Sequence, residues 1–368
     1  MSDKPAMLMF VYNDLKTDAR VQRSLDTLSQ SFNITILSTG EAYEHAGIKN
    51  VILKSDKAGM RKYFEVLKKA VLYCRNNRFD YLYLHDYYSC LLGLLMHKGH
   101  KTIYDAHELI IGTKKYPADK REKFFGFFEK LLLPKTQLVV CADEKRAELM
   151  KCHYKLNTMP FVVPNYSELP IDTGFIFTPS MIEFFNDPRK TFVYAGALTS
   201  GRNIDSIILE TSNLTEQYKV LIIGDGGERE KLEETARKCK GLKYLFTGSL
   251  PYKDLGALLS RCDVGYLSYP TTNLNNIYCA PNKIYEYASV ELPMICNDNP
   301  NLVNTVSKNR IGLCVSDNNS DGCSKSIVDA LAIIDRDYDA YKENIREFRQ
   351  KNSWALISKQ YLAKVQSI

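Results

Sequence analysis

Apolar runs in this 368-residue chain are short, such as Leu91-Leu92-Gly93-Leu94-Leu95-Met96. A membrane-crossing helix needs about 20 apolar residues, so none is expected. The N-terminus lacks a secretory pattern: the apolar stretch Ala6–Tyr12 ends at Asn13-Asp14 with no small-residue cleavage site behind it. No Cys-x-x-Cys pair occurs among the ten cysteines, which excludes zinc-ribbon and thioredoxin-like readings. Several cysteines lie in apolar segments, where a free thiol acts as a small hydrophobe, so a reducing, cytoplasmic compartment is expected. No nucleic-acid-binding motif is found, and nucleic acid is not expected as a partner. Low-complexity structure is excluded by 19 glycines and 13 prolines that are spread rather than clustered.

What is present is an ordinary globular composition, 45 % hydrophobic and 25 % charged, with a length that suits two domains. The net charge of +6 is unevenly placed: residues 51–135 hold 17 basic and 9 acidic groups. That surplus is either a solvated face or an attraction to anionic lipid or an anionic acceptor. Short apolar runs alternate with amphipathic ones. Strands are read at Met7–Tyr12, Phe32–Ser38, Tyr81–His85, Lys101–Asp105 and Gln137–Ala142. Helices are read between them, one capped by Thr17 and running to Gln30, another at Ser89–Lys98. A stretch from Val162 to Pro188 holds four prolines and little periodicity. The alternation then restarts with strands at Thr191–Tyr194, Tyr218–Ile223, Tyr244–Thr247, Val264–Leu267 and Met294–Asn297. A long last helix is read from Tyr338 to Val365, carrying the single tryptophan, Trp354. The expected fold is α/β, with two doubly wound Rossmann-like domains facing a cleft. They are placed at 1–168, with a C-terminal helix near 350–368 crossing back to it, and at 189–345.

Three stretches of the second domain suit a phosphate-bearing ligand. A buried strand runs into Gly224-Asp225-Gly226-Gly227, where glycines allow close backbone approach, although strand-to-helix turns also hold glycine for local reasons. This is not the dinucleotide fingerprint, which has different glycine spacing. A second strand ends at Gly196 and presents Arg202 before a helix; Arg can grip a phosphate with two bonds, or simply sit in a surface turn. Third, Pro281-Asn282-Lys283 opens a helix whose free N–H groups suit a diphosphate. One turn later Glu286 can accept bonds from two ribose hydroxyls, or pair with a lysine on a solvated face.

The order of these elements resembles the GT-B fold nucleotide-sugar glycosyltransferases, in the large retaining family typified by bacterial polysaccharide and lipid glycosyltransferases. The resemblance covers nearly the whole chain. It is carried by Tyr12-Asn13-Asp14 through Asp18-Ala19-Arg20-Val21-Gln22-Arg23, by His85-Asp86, and by Tyr104-Asp105-Ala106-His107-Glu108-Leu109. In the second domain it is carried by Phe246-Thr247-Gly248-Ser249-Leu250-Pro251 and by Pro281–Tyr287 followed by Pro293-Met294-Ile295. The resemblance implies a donor site of Gly196, Arg202, Gly224, Asp225, Gly226, Leu250, Pro281, Asn282, Lys283 and Glu286. It implies an acceptor side of Asn13, Asp14, His85, Asp86 and Glu108, with His107 and Arg202 in catalysis. It also implies a nucleotide-sugar donor, a glycan or lipid-linked acceptor, retention, and no metal or cofactor, in surface polysaccharide or glycoconjugate synthesis. Two positions depart from the family pattern: Tyr278 stands where a Glu is usual, eight residues before Glu286, and Ala197 where an Arg is often found. A sugar-nucleotide epimerase of the same fold and a catalytically weak binding scaffold are the alternatives. Finally, residues 119–134 join four phenylalanines and three leucines to Lys120, Arg121, Lys123 and Lys130. Such a helix packs on the first domain or also lies on an anionic membrane, which would make the protein peripheral at the inner membrane face.

Overall fold

The computed structural model describes residues 4–16, 18–41, 43–316 and 323–368, and the chain divides into two compact units. The first holds 1–165, 273–278 and 355–368; the second holds 166–272 and 279–354. The short segment 273–278, inside the expected 189–345 span, thus packs with the first unit.

In the first unit the strands are β1 (Ala6–Phe10), β2 (Asn33–Ser38), β3 (Ile48–Ile52), β4 (Tyr81–His85), β5 (Lys101–Ala106), β6 (Leu138–Cys141) and β7 (Phe161–Val162). They form one parallel sheet in the order β3-β2-β1-β4-β5-β6-β7. The central strands are largely apolar because helices cover both faces; all five residues of β4 are buried. The order reverses between β1 and β4, so the loops after Phe10 and His85 open at a switch point where doubly wound sheets bind ligands. The second unit repeats the plan with β8 (Lys190–Ala195), β9 (Tyr218–Ile223), β10 (Tyr244–Gly248), β11 (Val264–Leu267), β12 (Met294–Asn297) and β13 (Gly312–Val315). Its order is β10-β9-β8-β11-β12-β13, with the switch between β8 and β11.

Several local expectations change. The helix after β1 runs from Ala19 to Leu28 and is capped by Asp18, whose carboxylate accepts from the Val21 N–H at 3.1 Å; Thr17 lies outside the described residues. The helix expected over Ser89–Lys98 is a 3₁₀ turn, Tyr87–Ser89, followed by Cys90–Met96. The long last helix is two, Tyr338–Lys351 and Trp354–Gln366, because Asn352 leaves helical geometry. The second of these packs in the first unit, where the Tyr361 and Tyr83 hydroxyls lie 2.5 Å apart. The expectation of free thiols fails at one pair. Cys314 and Cys323 form a disulfide, and beside it the Ser324 N–H donates to the Cys314 carbonyl.

The helix Lys120–Leu132 begins with a reciprocal cap between Asp119 and Glu122. It buries Phe125, Leu132 and, against pattern, Glu129. Burial pushes the Glu129 carboxyl up to about 7, although the Tyr104 and Tyr154 hydroxyls both donate to it.

Candidate active site

In the first unit the ends of β4 and β5 bring a polar cluster together. Arg20 reaches Asp105 through Nε at 3.1 Å and Nη2 at 2.6 Å, and the Tyr83 hydroxyl adds a third donor at 3.1 Å. Burial alone would raise the Asp105 carboxyl; Arg20, with His107 and His85, holds it down at about 2. His85 is fully buried, with Nδ1 3.2 Å from Nε2 of His107. Burial and the neighbouring His107 press the His85 imidazole down to about 3, so it is neutral. His85 Nε2 has no partner among the described residues. One tautomer leaves least unsatisfied: His85 donates from Nδ1 to His107, and its bare Nε2 carries no proton. His107 then keeps its own proton on Nδ1, which lies 3.8 Å from the Asp18 carboxylate. Despite burial, that carboxylate is held below the ordinary range by His107 and by the Val21 N–H.

Asp86 sits one residue beyond β4 with φ at +59°, a left-handed conformation costing about 1–3 kcal/mol. Its carboxylate accepts from the Glu108 N–H at 3.2 Å. Burial pushes the Asp86 carboxyl up to about 6, opposed by His107. Asn13 joins the cluster through Asp18 at 3.2 Å, whereas Asp14 turns to the Lys16 N–H at 3.0 Å. His85, Asp105 and His107 lie within 4.8 Å of one another, a spacing a metal ion can bridge. Arg20 and Tyr83 both donate to the Asp105 carboxylate, and the guanidinium places a positive charge beside it.

In the second unit the loops after β8 and β9 are locked together. A Cβ on Gly224 would lie 1.9 Å from the Gly196 carbonyl oxygen, and one on Gly226 2.4 Å from that of Leu198. Their φ angles of +140° and +156° also favour glycine. These glycines therefore serve loop-to-loop packing first. Asp225 is exposed and takes the Gly226 N–H at 2.8 Å. Arg202 bonds the Ser268 carbonyl at 3.1 Å and lies 3.7 Å over the Tyr269 ring, which fixes it at the end of β11. Asn297 clamps Tyr269 with two backbone bonds, at 3.0 and 3.1 Å. The next helix runs from Asn282 to Ser289 with Pro281 at its N-cap, one position earlier than expected. Glu286 on this helix is only 2 % exposed and is bonded by Lys283. The lysine pairing thus occurs, on a buried face. Tyr287 ties the helix to the sheet, donating to the Tyr266 carbonyl at 3.0 Å and accepting from the Ala195 N–H at 3.1 Å. Leu250 is half-buried against the apolar core. The closely spaced aspartates 335 and 337 are engaged elsewhere, Asp335 by Lys190 and Tyr218 and Asp337 by Arg336.

Residues 180–348 match the family model for glycosyl transferases group 1. That stretch, most of the second unit, is similar to the group 1 glycosyltransferase domain. No curated protein sequence matches the chain. Among solved structures it is similar to a sucrose-phosphate synthase from Thermosynechococcus elongatus, at 15 % identity over 99 % of this chain and 98 % of that one, with a TM-score of 0.74. It is similar to Anabaena HepE solved with UDP and glucose, at 13 % identity over 99 % and 100 %, TM-score 0.73. WaaG, a glycosyltransferase involved in lipopolysaccharide biosynthesis, gives 11 % identity over 97 % and 98 %, TM-score 0.72. At these identities the likeness is one of fold, and that fold is GT-B.

In the first unit, sequence reasoning named His85, Asp86, His107 and Glu108 but left out of the site the groups that hold them: Asp18, Arg20, Asp105, Arg146 and Asn275. Asp18, Arg20 and Asp105 stood inside the motif stretches; Arg146 and Asn275 carry no sequence signal. Tyr278 packs its ring against the apolar core of the first unit.

Proposed function

We propose that this enzyme moves a sugar from a nucleoside-diphosphate sugar to a glycan or lipid-linked acceptor, with retention and without a metal, in surface polysaccharide or glycoconjugate synthesis. The observation that carries this reading is the helix Asn282–Ser289, whose unpaired N-terminal N–H groups stand beside Lys283 and whose buried Glu286 follows one turn later. A diphosphate at the helix start and a ribose at Glu286 use both features. As the glycosidic bond breaks, the leaving diphosphate gains charge; Arg202, Lys283 and the helix N-terminus are the groups that meet it. Relatives support the choice of donor: HepE is described with UDP-glucose, and WaaG with lipopolysaccharide synthesis. The second reading, a weak enzyme or scaffold, draws on Tyr278, which replaces a carboxylate with a packed ring. No cofactor is proposed.

The test uses UDP and 2′-deoxy-UDP in titration calorimetry. Wild type should favour UDP by about 1.5–3 kcal/mol, the value of a bond to a charged group. Glu286→Gln should erase most of that preference. A preference that survives unchanged places ribose recognition elsewhere.

The acceptor side includes a proposed membrane surface. On the helix Lys120–Leu132, Phe124, Phe127 and Leu131 stay exposed, Phe127 by 60 %. Lys120, Arg121, Lys123 and Lys130 are exposed beside them. Met60 and Phe64 are exposed next to Tyr63, whose ring meets Phe125 of that helix at 5.1 Å. Each basic group near anionic lipid contributes about 1 kcal/mol. Sedimentation with liposomes should therefore rise with anionic lipid and fall with salt. Changing Lys120, Arg121 and Lys123 together to Glu should abolish it in a folded protein. Absence of binding to anionic liposomes at low salt would leave the helix as core only.

A further inference from the structure

Arg146 stands in the first turn of the helix Glu144–Tyr154, where the helix dipole disfavours a cation. Its helix is capped by Asp143, which takes the Lys145 and Arg146 N–H groups, so the local sequence gives the guanidinium no task. The side chain is nevertheless buried. Its Nε donates to the Tyr278 carbonyl at 2.6 Å, Nη1 to the His107 carbonyl at 2.8 Å, and Nη2 to the Asn275 carbonyl at 3.2 Å and side-chain oxygen at 2.9 Å. None of these acceptors is a carboxylate. Among the described residues no carboxylate pairs with it, and a buried cation so placed costs several kcal/mol in desolvation and survives only where its geometry is used. Here a planar fork joins two stretches more than 120 residues apart in sequence, which a lysine cannot do. Asn275 completes the joint, accepting from the Leu109 N–H at 2.9 Å and donating to Glu108.

We propose that Arg146 is a positioning residue for sugar transfer. It clamps the His107–Leu109 loop to the segment 273–278, and so fixes the main chain that carries the His107 imidazole. The second stretch matters because the chain leaves the first unit at Tyr278, three residues before Pro281. The proposal rests on the reading of the enzyme as a nucleotide-sugar transferase for its kinetic test, and on the hydrogen bonds alone for its second test.

The kinetic test measures UDP-glucose turnover and UDP affinity in Arg146→Ala, Arg146→Lys and Asn275→Ala. Turnover should fall by about 10²-fold in both Arg146 variants, the usual effect of misplacing a catalytic group by an ångström, with KM and UDP affinity little changed. Added guanidinium should restore part of the turnover in Arg146→Ala, a recovery that general destabilisation would not give. Asn275→Ala, which removes the side chain that Arg146, Leu109 and Glu108 share, serves if the Arg146 variants do not fold. The second test is amide hydrogen exchange. Leu109 and the amides of 274–278 should exchange about tenfold faster in the variants, because these opening events are local. Wild-type turnover in Arg146→Lys, or unchanged exchange in those amides, overturns the proposal. If the wild-type enzyme neither binds UDP nor turns over UDP-glucose, the functional reading fails, and exchange alone decides the clamp.

Discussion

Arg20→Met is expected to remove about 3–5 kcal/mol of stability from the first unit, the cost of breaking a buried ion pair on one side. Arg20 is 7 % and Asp105 1 % exposed, so water cannot take over from the guanidinium. Arg20 also donates to the Val163 carbonyl and to Asn165, both at 2.8 Å, and these acceptors lose their partner as well. The pH dependence identifies the cause. In wild type the Asp105 carboxyl is depressed to about 2, against about 3.9 in an unfolded chain. Its contribution is therefore complete above the unfolded value and is lost as pH falls through 2. In the variant the largest opposition to burial is gone and the carboxyl rises, so the folded variant takes up a proton more readily than wild type as pH falls. The gap between the two proteins should be widest near pH 7 and narrow by pH 4. His85, held near 3 against about 6.5 unfolded, destabilises both proteins as pH falls; Arg20 is among the charges that press it down, so its cost is smaller in the variant and also narrows the gap. Urea unfolding at the two pH values measures the gap. Arg20→Met with Asp105→Asn should recover much of the loss. Equal stability of wild type and Arg20→Met at pH 7 would mean that the pair holds nothing.

Sequence reading worked best where burial is two-sided. β1, β4, β8, β9 and β11 are nearly continuous apolar runs because both faces are covered, and such runs are visible without a partner. The strands it left out, β3, β7 and β13, lie at sheet edges, where they are half-buried or only two residues long. The break at Asn352 has no proline or glycine to mark it. In the site, the motif residues were visible because the family repeats them in order. Their supports were not, since a hydrogen bond from Arg146 to a carbonyl 132 residues away leaves no local pattern. Glu129 shows the same limit from the other side. Its place in a basic, aromatic helix suggests a solvated face, yet Tyr104 and Tyr154 draw it inward. The glycines after β8 and β9 were expected to let a ligand approach closely; what lies closest to them in the structure is the opposing loop's own backbone.

His107 is the residue on which transfer is expected to depend most. Its imidazole is packed but not sealed, with 16 % of the side chain exposed, and its three neighbours fix its orientation: His85 at Nε2, Asp18 near Nδ1, and Arg146 at the carbonyl. With His85 neutral and donating, the His107 proton sits on Nδ1 beside a carboxylate. A positive charge developing on the ring or on a reacting sugar nearby is therefore stabilised by Asp18. His107→Ala should lower UDP-glucose turnover by about 10²-fold or more, the range for a group acting in the transition state. UDP affinity should not change, because no donor-helix residue is altered. Alanine also leaves His85 Nδ1–H unpaired at a cost of about 1–3 kcal/mol, which alone could depress activity. His107→Gln separates the two effects. The glutamine carbonyl can accept from His85 and keep the fold, but it offers no titratable ring. If the imidazole acts in transfer, both variants lose turnover while only alanine loses stability. Turnover retained in His107→Gln would reduce the histidine to a packing partner of His85, and the chemistry would then have to be sought among Asp86, Glu108 and Arg202.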